Sequence, residues 1–265
     1  MIASALIVFR EALEAALVVS VVLGATKGLR GRVAAVAWGV ASGVLGAMAV
    51  AGLMGRIAQT VSGTGQSIFE ACVLFTAVGM LGWHNVWMSR HGKRLAQDLK
   101  SLGSEVTRGL KPMVAVYIAT TLAVMREGSE VVLFLYGLAA SGAGRAALLG
   151  GGFLGLAAGA AAGAAVYLGL MKIPLKHFFR VTGWMVLLLA AGMASQAAAF
   201  LNQADLLPSI KDSLWDTSWL LTADSLMGSL LKTLVGYTPN PSGIQFLFYA
   251  GTIALIGSLM KIAEP

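Results

Sequence analysis

Two five-residue clusters carry most of the chemistry this chain could perform: Arg10-Glu11-Ala12-Leu13-Glu14 and Arg126-Glu127-Gly128-Ser129-Glu130. Both read R-E-x-x-E. On a helix, glutamates at i and i+3 share a face, and the arginine lies at i,i+4 from the second of them. Each cluster therefore offers two carboxylates steadied by one guanidinium, a group that is always charged and grips carboxylates with fixed geometry. Four carboxylates and two guanidiniums leave a net charge of about −2, which calls for protons or a multivalent cation. Oxygen-only ligands favour hard cations such as magnesium, calcium, manganese or iron over soft ones.

The elements around the clusters make those charges expensive. Of 265 residues, 57% are hydrophobic and 12% charged, with mean hydropathy +0.80. Soluble domains carry about 25% charged residues, so the composition is that of an integral membrane protein. An ionised side chain at the bilayer centre costs about 2.5–3.5 kcal/mol on insertion scales and marks a functional site by default. A helix needs about 20 residues to cross the hydrocarbon core. Seven segments qualify: 2–25, 33–55, 67–89, 113–138, 146–170, 178–201 and 243–262. The first is expected to be a retained helix, because it lacks a basic leader and its apolar run is broken by Arg10, Glu11 and Glu14.

Loop charge sets an orientation. Thirteen Lys and Arg fall in the 1–2, 3–4 and 5–6 connections and the C-terminus, against four on the other side. The positive-inside rule then places the N-terminus outside and the C-terminus in the cytoplasm. The clusters are 116 residues apart, and the same shift carries the second span close to the fifth and the third close to the sixth. The expected fold is all-α: one membrane domain over 1–265, built as two inverted three-helix repeats, about 1–90 and 112–201, plus a seventh helix at 243–262. Such repeats commonly build transporters with the substrate site near the midplane. At 1.5 Å per residue, Glu11 and Glu14 sit about 14–18 Å into the first helix, and Glu127 and Glu130 at similar depth in the fourth.

Other residues are read more plainly. Glu70, in the third span, is a further candidate metal ligand, on an entry path from the outside. His84, among Trp83, Asn85 and Trp87, is expected to be an interface residue. Cys72 is read as a small buried helix residue, and a single cysteine excludes an intrachain disulfide. Glycines at 39, 43, 151, 155, 159 and 163 are expected to let helices approach closely. Met125, beside Arg126, is expected to pack. The irregular segment 202–242, with Asp205, Asp212, Asp216, Asp224, Trp215, Trp219 and Tyr237, is expected to lie partly along the outer membrane surface.

R-E-x-x-E in the first and fourth of seven helices resembles the oxidase-dependent iron permease family, including the bacterial permease of the tripartite acid-induced uptake system. The resemblance extends to Glu70 with Trp83-His84-Asn85-Val86-Trp87-Met88, to Leu214-Trp215-Asp216-Thr217-Ser218, and to Val235-Gly236-Tyr237 followed by Pro241 and Gln245. It implies iron import across the bacterial inner membrane, with Glu11, Glu14, Glu127 and Glu130 as iron ligands and Arg10 and Arg126 as their supporting partners. It also implies ferric iron, supplied by an extracytoplasmic oxidase or iron-delivery partner. No permanently bound cofactor and no nucleic-acid partner are expected; iron is the transported substrate. Two other readings stand beside this one: a carboxylate transporter for another divalent cation such as manganese, and an intramembrane metalloenzyme. The second would want an open site with histidine ligands, which the motifs lack.

Overall fold

In the computed structural model, the described residues are 1–60, 64–169, 175–208, 210–211, 213–221, 225, 228, 231 and 235–263. Among them the regular structure is helical: α1 (Ile2–Ala25), α2 (Arg32–Thr60), α3 (Thr64–Thr107), α4 (Val114–Ala140), α5 (Arg145–Tyr167), α6 (Leu175–Gln203) and α7 (Gly243–Ala263). Apolar residues with high helix propensity run through each, and in lipid a helix satisfies its own backbone hydrogen bonds. Turns end them where glycine can take left-handed backbone, as at Gly28 (φ 96°) and Gly31 (φ 82°) between α1 and α2. Five helices are long and apolar enough to cross a membrane: within α2, α3, α5, α6 and α7. α1 and α4 are equally long, 24 and 27 residues, but each carries the three charges of a motif.

Close helix packing follows from the glycines. Gly151, Gly155, Gly159 and Gly163 are all buried against α1. A Cβ added at Gly159 would sit 2.7 Å from Phe9 O and 2.7 Å from Ala12 Cβ. On the other side, a Cβ at Gly43 would lie 2.9 Å from both Thr121 O and Met125 N. The contact register rises together along each pair: from Met1 to Ala16 as α5 runs from Gly151 to Gly163, and from Tyr117 to Met125 as α2 runs from Gly39 to Gly46. α5 is thus parallel to α1, and α2 parallel to α4.

The two pairs also match contact for contact. Gly151 faces Met1 O and Ser4, as Gly39 faces Tyr117 O and Thr120. Gly155 faces Ala5 O and Phe9 N, as Gly43 faces Thr121 O and Met125 N. Gly159 meets Ala12, as Ala47 meets Gly128. The motif helices correspond at a shift of 116 residues and the glycine helices at 112, so the spacing from motif to glycine row is four residues shorter from α4 to α5 than from α1 to α2.

Two apolar cores stack along the molecule. One joins Ala3 and Ile7 of α1 with Leu74, Ala77 and Leu81 of α3, Phe134 and Leu138 of α4, and Leu187 and Ala190 of α6. The other joins Val18 and Val22 of α1 with Val36, Val116, Leu99 and Val106. Residues 10–14, 84 and 126–130 lie between them in the chain and in space.

Several expectations change here. The connection expected after residue 89 is helical to Thr107, because Leu99 and Val106 find apolar cover on α1 and α4. Thr107 Oγ1 donates to Ala25 O at 3.3 Å, tying the end of α3 to the end of α1. Cys72 is helical but exposed. In the segment after α6, Leu214 N donates to Pro241 O (2.9 Å) and Thr217 N to Pro239 O (3.1 Å), a fold-back that brings Gly236 against Gly192 of α6. Asp212, Asp224 and Pro174 lie outside the described residues.

Candidate metal centre

Helical spacing alone puts Arg10 beside Glu14 and Arg126 beside Glu130. Both pairs form, Nε to Oε1 at 3.1 Å in each. The second carboxylate of each motif is thereby held by its own arginine. The first carboxylates, Glu11 and Glu127, are left to face across the gap between α1 and α4. Glu11, Glu14, Glu127 and Glu130 are all buried, none more than 6% exposed. The sequence reading brought these four together, and the structure places them in one cluster.

The cluster contains a residue the sequence reading assigned elsewhere. His84 is 1% exposed, not an interface residue. α3 passes behind the motif helices and inserts the imidazole between them. Nε2 lies 3.1 Å from Glu14 Oε2 and 3.9 Å from Glu11 Oε2; Nδ1 lies 2.6 Å from Glu130 Oε2. The Glu14 contact is a hydrogen bond, while the Glu130 contact is close without hydrogen-bond alignment. One signal in the sequence points to it: an ionisable residue deep in an apolar span is a functional candidate by default, although the flanking tryptophans locally resemble an interface.

Glu70 stays apart from this cluster. It is only partly buried, and Gln66 Nε2 donates to its Oε1 at 3.0 Å, an ordinary i,i+4 pair near the start of α3. Met125 covers Gly46 and does not join the carboxylates. Arg126, unlike Arg10, is 36% exposed, and its guanidinium lies 4.5 Å above the Trp87 ring.

The electrostatics identify what the cluster lacks. Among the described residues, Glu11 Oε2, Glu127 Oε2 and Glu130 Oε2 are buried with no hydrogen-bond partner, as is His84 Nδ1. A buried polar atom without a partner costs about 1–3 kcal/mol, more when charged. Here four such atoms converge. Ligand atoms of Glu11, His84, Glu127 and Glu130 all lie within 4.8 Å of one another, a spacing that one metal ion can bridge. Apolar cores flank the cluster on both sides.

Comparison with known proteins agrees with a metal-handling membrane protein. Residues 1–263 match the model of the Iron permease FTR1 family. The chain is 33% identical to ferrous iron permease EfeU of Escherichia coli O6:H1 over 98% of its own length and 94% of the relative's. It is 33% identical to the Shigella sonnei protein of the same name over the same shares, and 30% identical to that of Yersinia pestis over 98% and 92%. No solved structure matches the chain. With the family model covering almost every residue, this chain belongs to the FTR1 iron permease family and is an integral membrane iron transporter, not an enzyme.

Proposed function

We propose that the chain imports iron through a single site formed by both R-E-x-x-E motifs at mid-depth in the membrane. The observation that carries this reading is the convergence of partnerless carboxylate oxygens from α1 and α4 in one buried cluster. Glu11, Glu14, Glu127 and Glu130 form the carboxylate set, and Arg10 and Arg126 hold its geometry. The seven helices described all span the membrane, α1 and α4 included, because their motif glutamates are buried and the one half-exposed charge, Arg126, is paired with Glu130 and covered by Trp87. The matched contacts of α1 with α5 and of α4 with α2 support two copies of one unit. Six residues connect α1 to α2, so α2 returns across the membrane, and α4, parallel to α2, runs opposite to α1. That makes the copies inverted. Loop charge puts the N-terminus outside the inner membrane and the C-terminus in the cytoplasm.

The relatives' name favours ferrous iron at the site, against the ferric ion implied by the first resemblance. An imidazole in the cluster points the same way, since it suits divalent transition ions. An oxidase or delivery protein on the outer side remains part of the proposal on family resemblance. Glu70, outside the cluster, is read as a residue of the outer approach.

Radiolabelled uptake in a strain lacking other iron transporters tests this. Iron supplied with a reductant should accumulate, and Glu127→Gln should abolish accumulation while protein still reaches the membrane. Manganese accumulation that excess iron does not reduce would replace iron with the other divalent reading.

A further inference from the structure

We propose that His84 is a metal ligand through Nδ1, and that Glu14 is not a ligand but the positioning residue that fixes the His84 ring. This deepens the proposed iron site and rests on it.

The argument starts from what each oxygen of Glu14 already does. Oε1 accepts from Arg10 Nε at 3.1 Å, and Oε2 faces His84 Nε2 at 3.1 Å. A carboxylate only accepts, so Nε2 must carry the hydrogen and donate it. In a neutral ring that leaves the lone pair on Nδ1. Nδ1 is buried, makes no aligned hydrogen bond among the described residues and lies 2.6 Å from Glu130 Oε2. At that distance the two atoms must share a cation, and a metal ion can take the place of the proton that would otherwise bridge them. Metal-binding histidines recur in this arrangement: one nitrogen on the ion, the other donating to a carboxylate that sets tautomer and orientation. Arg10, Glu14 and His84 thus form a chain ending at the ion.

Glu11 and Glu127 differ from Glu14 in this respect. Each keeps an oxygen with no partner inside the cluster. The coordinating set is therefore Glu11, Glu127, Glu130 and His84, drawn from three helices, and the four motif glutamates are not equivalent. One nitrogen among three carboxylates tilts the site from magnesium and calcium toward first-row divalent ions.

Purified full-length protein, loaded with Mn(II) alone, tests this by pulsed electron paramagnetic resonance. Bound Mn(II) should show coupling to a directly ligated histidine nitrogen. Growing the protein with 15N-histidine should convert the 14N pattern to 15N without altering the fold, and His84→Gln should remove it. Glu14→Gln should weaken Mn(II) binding by about 10–100-fold, the usual cost of losing a carboxylate behind a histidine ligand, while the nitrogen signal survives in the bound fraction. Glu11→Gln should weaken it further.

Bound Mn(II) without histidine coupling, or coupling that persists in His84→Gln, would overturn the ligand assignment. Glu14→Gln binding as weakly as Glu11→Gln would overturn the division between the glutamates. Both results leave the proposed site standing. Mn(II) binding that is indifferent to Glu127→Gln would instead remove the site itself.

Discussion

The two R-E-x-x-E motifs have the same internal geometry and different surroundings. Each arginine reaches its i+4 glutamate at 3.1 Å. Arg10, however, is 3% exposed, with Nη1 buried and lacking a hydrogen-bond partner among the described residues. Arg126 is 36% exposed and is covered on one face by Trp87. The helix spacing fixes the pair in both halves, but only tertiary packing decides how strongly each pair is felt. A sealed guanidinium has no alternative partner, while a half-open one shares its charge with its surroundings. The ion pair of the first motif is therefore sealed and that of the second half-open.

The strongest way to break this comparison is at the residues where the halves should be equal. Glu11→Gln and Glu127→Gln each remove a carboxylate with a partnerless oxygen, so each should reduce iron uptake to background. Uptake retained by one and lost by the other would mean that a single half binds the ion. The arginines should separate the halves. Arg10→Ala leaves Glu14 buried beside a vacated guanidinium site, a loss of about 3–5 kcal/mol for a broken buried pair. Arg126→Ala should cost about 1 kcal/mol, since solvent screening weakens an exposed pair. Apparent melting temperatures in one detergent measure both, and equal shifts would contradict the asymmetry.

Helix contacts give a smaller effect, and again an equal one. Gly155→Ala and Gly43→Ala each push a methyl against the backbone of a motif helix, at Phe9 N (2.8 Å) and Met125 N (2.9 Å). Overpacking of this kind costs about 1–3 kcal/mol. A melting shift in only one variant would break the match between the pairs. The smallest change is expected from Trp87→Leu, which removes a cation–π contact of about 0.5–1 kcal/mol. It should lower stability slightly and leave the Arg10 half untouched.

Much of this was legible before the fold. Charge at fixed helical spacing in apolar spans gave the motif glutamates and their arginines. Glycine spacing marks the close-packed faces, and the 116-residue motif separation lies near the 112-residue shift between the glycine rows. Two features were not legible, for one physical reason: each depends on a partner remote in sequence. His84 is 70 residues from Glu14 and 46 from Glu130, and its flanking tryptophans make an interface reading reasonable locally. The continuation of α3 to Thr107 depends on Leu99 and Val106 meeting Val18, Val22 and Val116, contacts that no local pattern encodes. Glu70 is the converse. Its type suggests a ligand and its position near the outer end of the span an entry path; among the described residues it pairs with Gln66, apart from the cluster.

The central claim is that both motifs converge on one ion. The most direct measurement is anomalous diffraction at the iron edge from crystals of the protein grown with iron. One anomalous peak within coordination distance of carboxylates from both α1 and α4, among Glu11, Glu127, Glu130 and His84, is the expected result. Iron bound elsewhere with this cluster empty, or two separate peaks each beside a single motif, would contradict it.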